Sequence, residues 1–282
     1  MPELPEVETQ VRDLQVLKGE QILDITTSVK KLFQPDFVVF CEKIKGCKII
    51  AIERRAKYII FTLEALQTPI KKKEFKLVVH FRMTGHFLLR KKNDLADSFA
   101  RVIFSLTHSK ELRYEDIRKF GTFQLCDIEN YEKECGLDKL GPEPLDFKFT
   151  SVVLQNILAK KRGKLKAVLM DQSVVAGIGN IYADEICFTT GLHPAFPVEK
   201  LTFAQIKKLH QAIIFELKKG IKNRGTSIGE YVDTKNQAGE NQNSLQVYGR
   251  YGKSCKKCGT ILSKMKISQR TTVFCKQCQK NE

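Results

Sequence analysis

The chain has 282 residues, 42% of them hydrophobic, which is enough for two domains with separate cores. Its 48 Lys and Arg residues outnumber 32 Asp and Glu residues, and the formal charge of +16 favours nucleic acid over an anionic membrane as a partner. The sequence has neither an apolar run long enough to span a membrane nor a signal peptide, so we expect a soluble cytoplasmic protein.

The first predicted element is a helix over residues 5–18. Pro5 suits a first helical position, Val7 and Val11 repeat at helical spacing, and Gly19 suits the end of the helix.

The residues ahead of this helix have a chemistry of their own. Removal of Met1, which a small second residue permits, leaves the secondary amine of Pro2 beside the Glu3 carboxylate. An α-amino group titrates near ~8, so an unprotonated fraction can attack a carbonyl carbon at neutral pH and form an iminium. Pro2 is a candidate nucleophile and Glu3 a candidate proton carrier. The alternative is a solvated terminus that only leads into the helix.

Short β-rich segments separated by turns occupy the chain from residue 20 to about residue 128. Because no helix alternates with them, they predict an antiparallel sandwich or barrel and argue against a parallel α/β sheet. The predicted strands are residues 21–26, 37–40, 48–52, 58–64, 76–81, 86–89, 101–106, 111–114 and 122–127.

The second half of the chain is predicted to be helical. Residues 136–147 contain two prolines and two glycines and indicate a linker. Apolar spacing then predicts helices over residues 150–160, 164–170, 180–190 and 202–223. Residues 225–245 are polar and predict a long loop, and a loop of this length is usually functional or disordered.

Four of the nine cysteines cluster near the C-terminus. Cys255, Cys258, Cys275 and Cys278 form two C-x2-C pairs with 16 residues between them, which is the spacing of a four-thiolate zinc site. Four thiolates leave no open coordination position, so one structural Zn²⁺ is predicted. The alternative is a redox dithiol pair. The other cysteines are predicted to be buried or loop-edge thiols: Cys41, Cys47, Cys126, Cys135 and Cys187.

A tight glycine turn separates two of the predicted helices. It reads Gly177-Ile178-Gly179, and Asn180 begins the following helix. Glycines let the backbone approach a phosphate, and a helix N-terminus presents unpaired N–H groups to it. A packed helix–helix turn fits the spacing equally well, but the basic residues just upstream, among them Lys166, favour a phosphate site.

Three predicted turns in the β-rich half combine apolar and cationic side chains. They contain Lys57, Met83, and the pair Arg118 and Phe120. Apolar wedges with cationic neighbours are what a protein uses to enter a base stack. Simple packing is the alternative explanation for each of them.

Together these motifs resemble the formamidopyrimidine-DNA glycosylases. The matching segments run from residue 2 to about residue 280 in the family's order, and include residues 2–9, 177–185 and 248–250, the Gln269-Arg270-Thr271 turn and the four cysteines. With the predicted elements, the resemblance implies an α+β multidomain fold. It comprises an N-terminal antiparallel β-sandwich with an N-terminal helix (1–132), a linker (133–150), a helix-two-turn-helix DNA-binding domain (151–244) and a zinc-finger ribbon (245–282).

The resemblance also implies an activity. The family excises oxidised purines, chiefly 8-oxoguanine and formamidopyrimidines, and then cleaves the strand by β,δ-elimination at the abasic site. The implied partner is double-stranded DNA with oxidised bases or abasic sites, bound by a monomer. The implied catalytic residues are Pro2, Glu3 and Lys57, with Glu6 as a further carboxylate near the site. The implied DNA contacts are His80, Met83, Arg118, Phe120, Lys166, Asn180, Tyr248 and Arg270.

The sequence departs from the family pattern at three places. Residues 99–102 lack a usual histidine, for which Arg101 is a candidate replacement, and residues 239–242 lack the usual aromatic of the loop that folds over the flipped base. Lys119 stands where arginine is frequent. These departures concern recognition of 8-oxoguanine more than the chemistry at Pro2.

Two alternative functions remain open from the sequence. An endonuclease VIII-like enzyme would prefer oxidised pyrimidines, but Leu4, Arg118 and Phe120 favour the purine branch. A zinc-ribbon DNA-binding protein without catalysis would not need Pro2, Glu3 and Lys57 together.

Overall fold

Alternating apolar and polar residues build two β-sheets in the N-terminal half. The computed structural model describes residues 1–66 and 72–280. Its first nine strands are β1 (Ile22–Thr27), β2 (Phe33–Gln34), β3 (Lys48–Arg55), β4 (Tyr58–Leu66), β5 (Lys72–His80), β6 (His86–Lys91), β7 (Ala100–Leu106), β8 (Lys110–Glu115) and β9 (Thr122–Asp127). They form sheets of order β1-β7-β8-β6 and β2-β9-β5-β4-β3, antiparallel except for the short β2–β9 pair. The predicted sandwich is confirmed.

The inner faces of the two sheets share one hydrophobic core. Phe61 on β4 and Phe87 on β6 belong to different sheets, and their ring centroids lie 6.0 Å apart in an edge-to-face arrangement. Phe87 also meets Tyr114 at 5.6 Å and Phe123 at 6.3 Å. Aromatic rings prefer these tilted contacts, so the cluster gives the loops at the sandwich edge a rigid base.

One predicted strand is wrong. Residues 37–40 form the start of helix α2 (Phe37–Ile44) instead. The Asp36 carboxylate caps this helix by accepting the Val38 N–H at 2.9 Å. Phe40 and Ile44 are buried four residues apart while Val38 is exposed, so packing follows the helical period despite the β-prone composition.

The remaining elements are α1 (Leu4–Leu14), α3 (Tyr131–Glu134), α4 (Ser151–Leu158), α5 (Leu165–Met170), α6 (Asn180–Thr190), α7 (Phe203–Lys222), α8 (Asn241–Ser244), β10 (Ser263–Ile267) and β11 (Arg270–Phe274). Five of them (α1, α4, α5, α6 and α7) match the predicted helices, whereas the short helices α3 and α8 were not predicted and α8 lies within the predicted loop over residues 225–245. Helices α6 and α7 approach closely at Gly220, where an added Cβ would lie 2.4 Å from the Tyr182 hydroxyl. Within the described ranges, no helix has the length and apolar character needed to cross a bilayer.

The chain divides into two units. Residues 1–139 and 223–240 form the first unit, and the second contains residues 140–222 and the chain from residue 241 onward. The predicted scheme placed residues 223–240 inside a helical domain ending at residue 244, whereas the structure groups them with the β-sandwich. We call residues 223–240 the returning segment. The other predicted boundaries stay a prediction.

Candidate active site and nucleic-acid interface

Two buried carboxylates organise the N-terminus of the first unit. Glu3 and Glu6 are 2% and 1% exposed and form a capping box at the start of α1. One Glu6 oxygen accepts the Glu3 backbone N–H at 2.8 Å, and the other accepts the Thr226 N–H at 2.7 Å. Glu6 therefore joins the N-terminus directly to the returning segment.

The terminal amine lies among charged groups of the same unit. The pKa of the Met1 α-amino group is lowered, chiefly because burial disfavours its charged form, with Glu3 and Glu6 opposing the shift and Lys57 and Arg118 adding to it. Pro2 is buried directly after it. A lowered pKa increases the fraction of uncharged amine at neutral pH, which is the nucleophilic form.

His80 lies at the end of β5 in the surroundings of Lys57. Burial, followed by the charges of Arg82 and Lys57, lowers the pKa of His80 to about 3, so the imidazole is neutral at pH 7. Its Nδ1 accepts the Arg82 backbone N–H at 3.0 Å, and the neutral ring therefore carries its proton on Nε2. His80 offers one N–H donor whose charge does not vary across the physiological range. Tyr58 packs against this ring at 4.5 Å.

The three candidate wedge residues lie on two turns. Arg118 and Phe120 are exposed, and the Arg118 guanidinium lies 4.9 Å from the Phe120 ring centroid. This cation–π contact orients both side chains together. Met83 is half-buried in the turn between β5 and β6. The exposure of Phe120 fits a surface that meets a partner better than it fits core packing.

A residue that sequence reasoning missed connects these two turns. Asp116 is fully buried, and its carboxylate accepts the Thr84 hydroxyl at 2.5 Å and the N–H groups of Phe120 and Gly121 at 2.8 and 2.9 Å. Burial alone would raise the pKa of Asp116, but these hydrogen bonds outweigh it and the pKa is lowered. Arg101 donates to the Asp116 carbonyl at 3.0 Å, so it supports this turn.

Two glycines allow the turns to approach each other. Both face the hydroxyl of Tyr114, which itself donates to Asp116 at 3.1 Å. A Cβ added at Gly85 or Gly121 would lie 2.2 or 1.8 Å from that hydroxyl oxygen. Any side chain at either position would displace Tyr114 and open the wedge.

The returning segment is fastened to α1 and β6 by polar contacts. The Arg224 guanidinium lies 2.6 Å from Asp13 and also pairs with the buried carboxylate of Asp233. The Thr234 hydroxyl donates to Asp13 at 3.0 Å, while its carbonyl accepts the Leu89 N–H at 2.8 Å. An ionic cluster thus holds the segment that the resemblance associates with covering a flipped base.

In the second unit, the predicted phosphate turn is shaped by one glutamine. The Gln172 carboxamide donates to the Ile178 carbonyl at 2.7 Å and accepts the Gly177 N–H at 2.9 Å. Helix α6 then begins at Asn180, with Gly179 as its N-cap. Gln172 therefore sets the direction in which the N-terminus of α6 points.

Lys166 does not present its charge at the surface. Its side chain has no exposed area, and its ammonium binds Asp184 at 2.8 Å, the Thr272 hydroxyl at 2.9 Å and the Thr271 carbonyl at 3.0 Å. Asp184 also accepts the Val273 N–H at 3.1 Å. In this conformation Lys166 fastens β11 to α5 and α6, which corrects the expectation of a direct phosphate contact.

Glu185 performs a similar task for the segment that contains Tyr248. Its buried carboxylate accepts the N–H groups of Gln246, Val247 and Tyr248 at 2.8 to 2.9 Å. Tyr248 is half-buried and Arg270, at the start of β11, is exposed. Two neighbouring acids on α6, Asp184 and Glu185, therefore set the position of two candidate DNA contacts.

The four C-terminal cysteines converge as their spacing predicts. Their Sγ atoms all lie within 4.8 Å of one another, with Cys255 to Cys278 at 3.9 Å and Cys258 to Cys275 at 3.5 Å. A tetrahedron of Zn–S bonds of about 2.3 Å has sulfur–sulfur edges of about 3.8 Å. The donor set and its dimensions fit one tetrahedral metal ion.

Sequence and structure comparisons agree along the chain. Models of the formamidopyrimidine-DNA glycosylase N-terminal domain and H2TH domain match residues 1–123 and 140–231, and a zinc finger found in FPG and IleRS matches residues 252–281. A formamidopyrimidine-DNA glycosylase of Desulfitobacterium hafniense is 39% identical over 285 residues, covering 99% of this chain and 100% of the relative.

Solved structures of similar proteins contain DNA. A mutant of Lactococcus lactis FPG in complex with a Fapy-dG containing DNA matches with a TM-score of 0.89 and 34% identity over 99% of each chain. A complex of the Lactococcus lactis Fpg with an abasic site containing DNA matches with a TM-score of 0.88 and 34% identity, covering 98% of this chain and 99% of that one.

We predict that Asp116→Ala destabilises the first unit and disorganises the wedge. The buried Gly121 N–H and the buried Tyr114 hydroxyl lose their acceptor, each at about 1–3 kcal/mol, so the free energy of unfolding should fall by about 2 kcal/mol or more. Denaturant unfolding measures this change. Asp24→Ala, at a half-exposed carboxylate on β1, is the control and should change it little. Equal losses in the two variants would contradict the assigned role of Asp116.

We also predict that Arg224→Gln loosens the returning segment. Asp233 would keep its backbone partners and lose its cationic one, so amides over residues 225–240 should exchange with deuterium faster while those of β7 and β8 stay protected. The matched control is Arg12→Gln. It removes the exposed guanidinium that pairs with Glu8 on α1, the helix that also carries Asp13. Unchanged exchange over residues 225–240 would refute the fastening role of Arg224.

Proposed function

This chain belongs to the formamidopyrimidine-DNA glycosylase family, and we propose that it is a bifunctional DNA glycosylase and AP lyase that removes oxidised purines in base excision repair. The observation that carries the proposal is the N-terminal site, where the start of the chain and the buried Pro2 lie among the charged groups of Glu3, Glu6, Lys57 and Arg118. The expected substrates are 8-oxoguanine and formamidopyrimidines in double-stranded DNA.

The proposed reaction begins with the amine of Pro2 after Met1 has been removed. Pro2 attacks C1′ of the damaged nucleotide and displaces the base, and Glu3 transfers the proton that opens the sugar. Because a secondary amine gives an iminium, the neighbouring 2′ proton becomes acidic and β- and then δ-elimination release both phosphates. The product is a one-nucleotide gap with phosphate at both ends.

Access to C1′ requires the nucleotide to leave the base stack. Extrusion costs a few kcal/mol, and side chains inserted into the gap offset part of that cost. We assign this insertion to Met83, Arg118 and Phe120, with the Arg118 guanidinium pairing with the orphaned base. The Asp116 turn holds Arg118 and Phe120 in place before DNA arrives, so less ordering is needed on binding.

Phosphate contacts are assigned to four residues in the two units. The neutral Nε2–H of His80, the N-terminus of α6 at Asn180, and the side chains of Tyr248 and Arg270 are suitable donors. Lys57 remains the candidate cation beside the lesion. Lys166 acts indirectly, because its ammonium stabilises the strand that begins at Arg270.

The metal is proposed to be one structural Zn²⁺ held by Cys255, Cys258, Cys275 and Cys278. A bound Zn²⁺ would supply folding free energy to a segment that has a very small core of its own. Eight Lys and Arg residues occur from residue 251 to the C-terminus, so the finger also concentrates positive charge where Arg270 begins β11.

The nucleophile is tested by borohydride trapping with an 8-oxoguanine:cytosine duplex. A covalent protein–DNA band should form with the processed protein, and Pro2→Gly should weaken it strongly. Glu3→Gln should lower the cleavage rate by about 10²–10⁴, the usual contribution of a positioned proton donor. Absence of the band, or an equally strong band in Pro2→Gly, would contradict the mechanism.

Two further parts of this experiment identify the class of substrate and test whether a free N-terminal amine is required. Dihydrouracil and formamidopyrimidine duplexes run in parallel separate the purine assignment from the pyrimidine alternative. A protein that retains Met1 or an N-terminal tag should bind abasic-site DNA normally and fail to cleave it. Cleavage by the tagged protein would show that another group is the nucleophile.

Metal removal provides an independent prediction. Chelation should release one Zn²⁺ per chain and abolish DNA binding, and Cys258→Ser should weaken both metal retention and binding. Inductively coupled plasma mass spectrometry and fluorescence anisotropy measure the two quantities. Full DNA binding by the metal-free protein would rule out a structural role for the ion.

A further inference from the structure

Two cysteines outside the metal cluster form a close pair in the first unit. Cys126, near the end of β9, and Cys135, directly after α3, have Sγ atoms 3.2 Å apart. Cys126 is 6% exposed and Cys135 is half-buried. The pair has no part in the proposed glycosylase chemistry and shares no residue with the four-cysteine cluster.

The local fold brings the two sulfurs together. Cys126 pairs with Lys76 in the β5–β9 ladder, which fixes the position of its backbone. The chain then turns back through α3, where the Cys135 N–H donates to the Tyr131 carbonyl at 2.9 Å. The Lys76 ammonium lies 5.3 Å from the Tyr131 ring centroid and holds α3 against the same strand. Hydrogen bonds and packing on both sides therefore maintain the thiol contact.

The two thiols are chemically different. Cys135 is the less buried of the two, and its contact with the Cys126 sulfur lowers the pKa of the Cys135 thiol below its usual range. The same contact, together with burial, raises the pKa of Cys126. A thiolate is the attacking species in thiol–disulfide exchange, so Cys135 is suited to react first and Cys126 to resolve the product.

A cavity opens beside the pair, on the side of Cys126 and of Glu134, the residue before Cys135. It has a volume of about 340 Å³, and both Cys126 and the neighbouring Glu134 line it. Its other polar lining residues include Lys43, Gln34, Gln124 and Asp127. This volume lies in the range of small-molecule pockets.

We propose that Cys126 and Cys135 form a reversible redox site that reacts with low-molecular-weight disulfides. The Cys135 thiolate attacks one sulfur of R–S–S–R and forms a mixed disulfide, releasing one thiolate. The Cys126 thiol then loses its proton and attacks the Cys135 sulfur, forming the Cys126–Cys135 disulfide and releasing the second thiolate. The protein pair loses two electrons and the small disulfide gains them, so a dithiol reductant reverses the reaction.

The test uses the full zinc-loaded chain and 2-hydroxyethyl disulfide as the probe. After exposure, alkylation of remaining thiols and digestion with trypsin, residues 120–133 should be joined to residues 134–139, since cleavage after Lys119, Lys133 and Lys139 separates the two cysteines. The joined product should become dominant as the probe increases and should disappear with dithiothreitol. Wild-type protein with both thiols unmodified at saturating probe would overturn the proposal.

Three variants assign the roles of the two thiols. Cys126→Ser should accumulate a mixed disulfide between Cys135 and the probe, whereas Cys135→Ser should leave Cys126 as a free thiol. Cys41→Ser removes a half-buried thiol elsewhere in the same unit and should react like wild type. Faster capture of Cys126 than of Cys135 would overturn the assigned order of attack. These readouts do not depend on DNA cleavage, so they stand apart from the glycosylase proposal.

Discussion

The Glu6 carboxylate is the interaction on which the N-terminal site depends. Its two oxygens accept backbone N–H groups from Glu3 and Thr226, which lie more than 200 residues apart in the chain. A buried carboxylate is stable only when hydrogen bonds replace its lost hydration, so breaking either contact would destabilise the folded state. The Tyr231 hydroxyl also donates to the Glu6 carbonyl at 3.1 Å. The terminal amine and the returning segment consequently share one support, and a change in either should alter the other.

Elsewhere in both units, buried acids also accept hydrogen bonds that position backbone segments. Asp116 accepts hydrogen bonds from two turns, and Asp184 and Glu185 accept them from β11 and from residues 246–248. In each case an acid without exposed surface positions an exposed side chain such as Arg118 or Arg270. A surface that binds a polyanion needs cationic side chains that can pair with it. An acid placed beside such a cation would form an ion pair with it and offset the local positive charge. The buried acids instead accept hydrogen bonds from the backbone, which positions the cationic side chains and leaves the surface positive.

The sequence predicted the features that local spacing encodes. The cysteine knuckles, the helix beginning at Asn180 and the Pro2-Glu3 terminus are each readable within a few residues. Periodicity indicated a β-rich first half and a helical second half, and the family resemblance implied the full domain arrangement. Residues 37–40 were predicted to be a strand because β-branched and aromatic residues favour strands. They form a helix because Asp36 caps its N-terminus and the buried residues Phe40 and Ile44 are four residues apart. Asp116 and the buried state of Lys166 could not be foreseen, because their partners are set by the tertiary fold. A lysine in a basic stretch is expected to carry its charge at the surface, and only its tertiary neighbours show that Lys166 is buried.

The returning segment is attached to the rest of the first unit at two points that differ in exposure. Thr226, near its start, donates its N–H to the buried Glu6 carboxylate. Arg224 instead joins Asp233, in the middle of the segment, to Asp13, and the Arg224 side chain is 44% exposed. Salt screens the half-exposed Arg224 guanidinium more than it screens hydrogen bonds to the buried Glu6 carboxylate, although the burial of Asp233 makes the Arg224 pair stronger than an ordinary surface ion pair. The attachment at Arg224 should therefore be more sensitive to ionic strength than the attachment at Glu6. Glu3 and Glu6, beside the terminal amine, are buried and hydrogen-bonded, so the support of the N-terminus should be the less salt-sensitive of the two attachments.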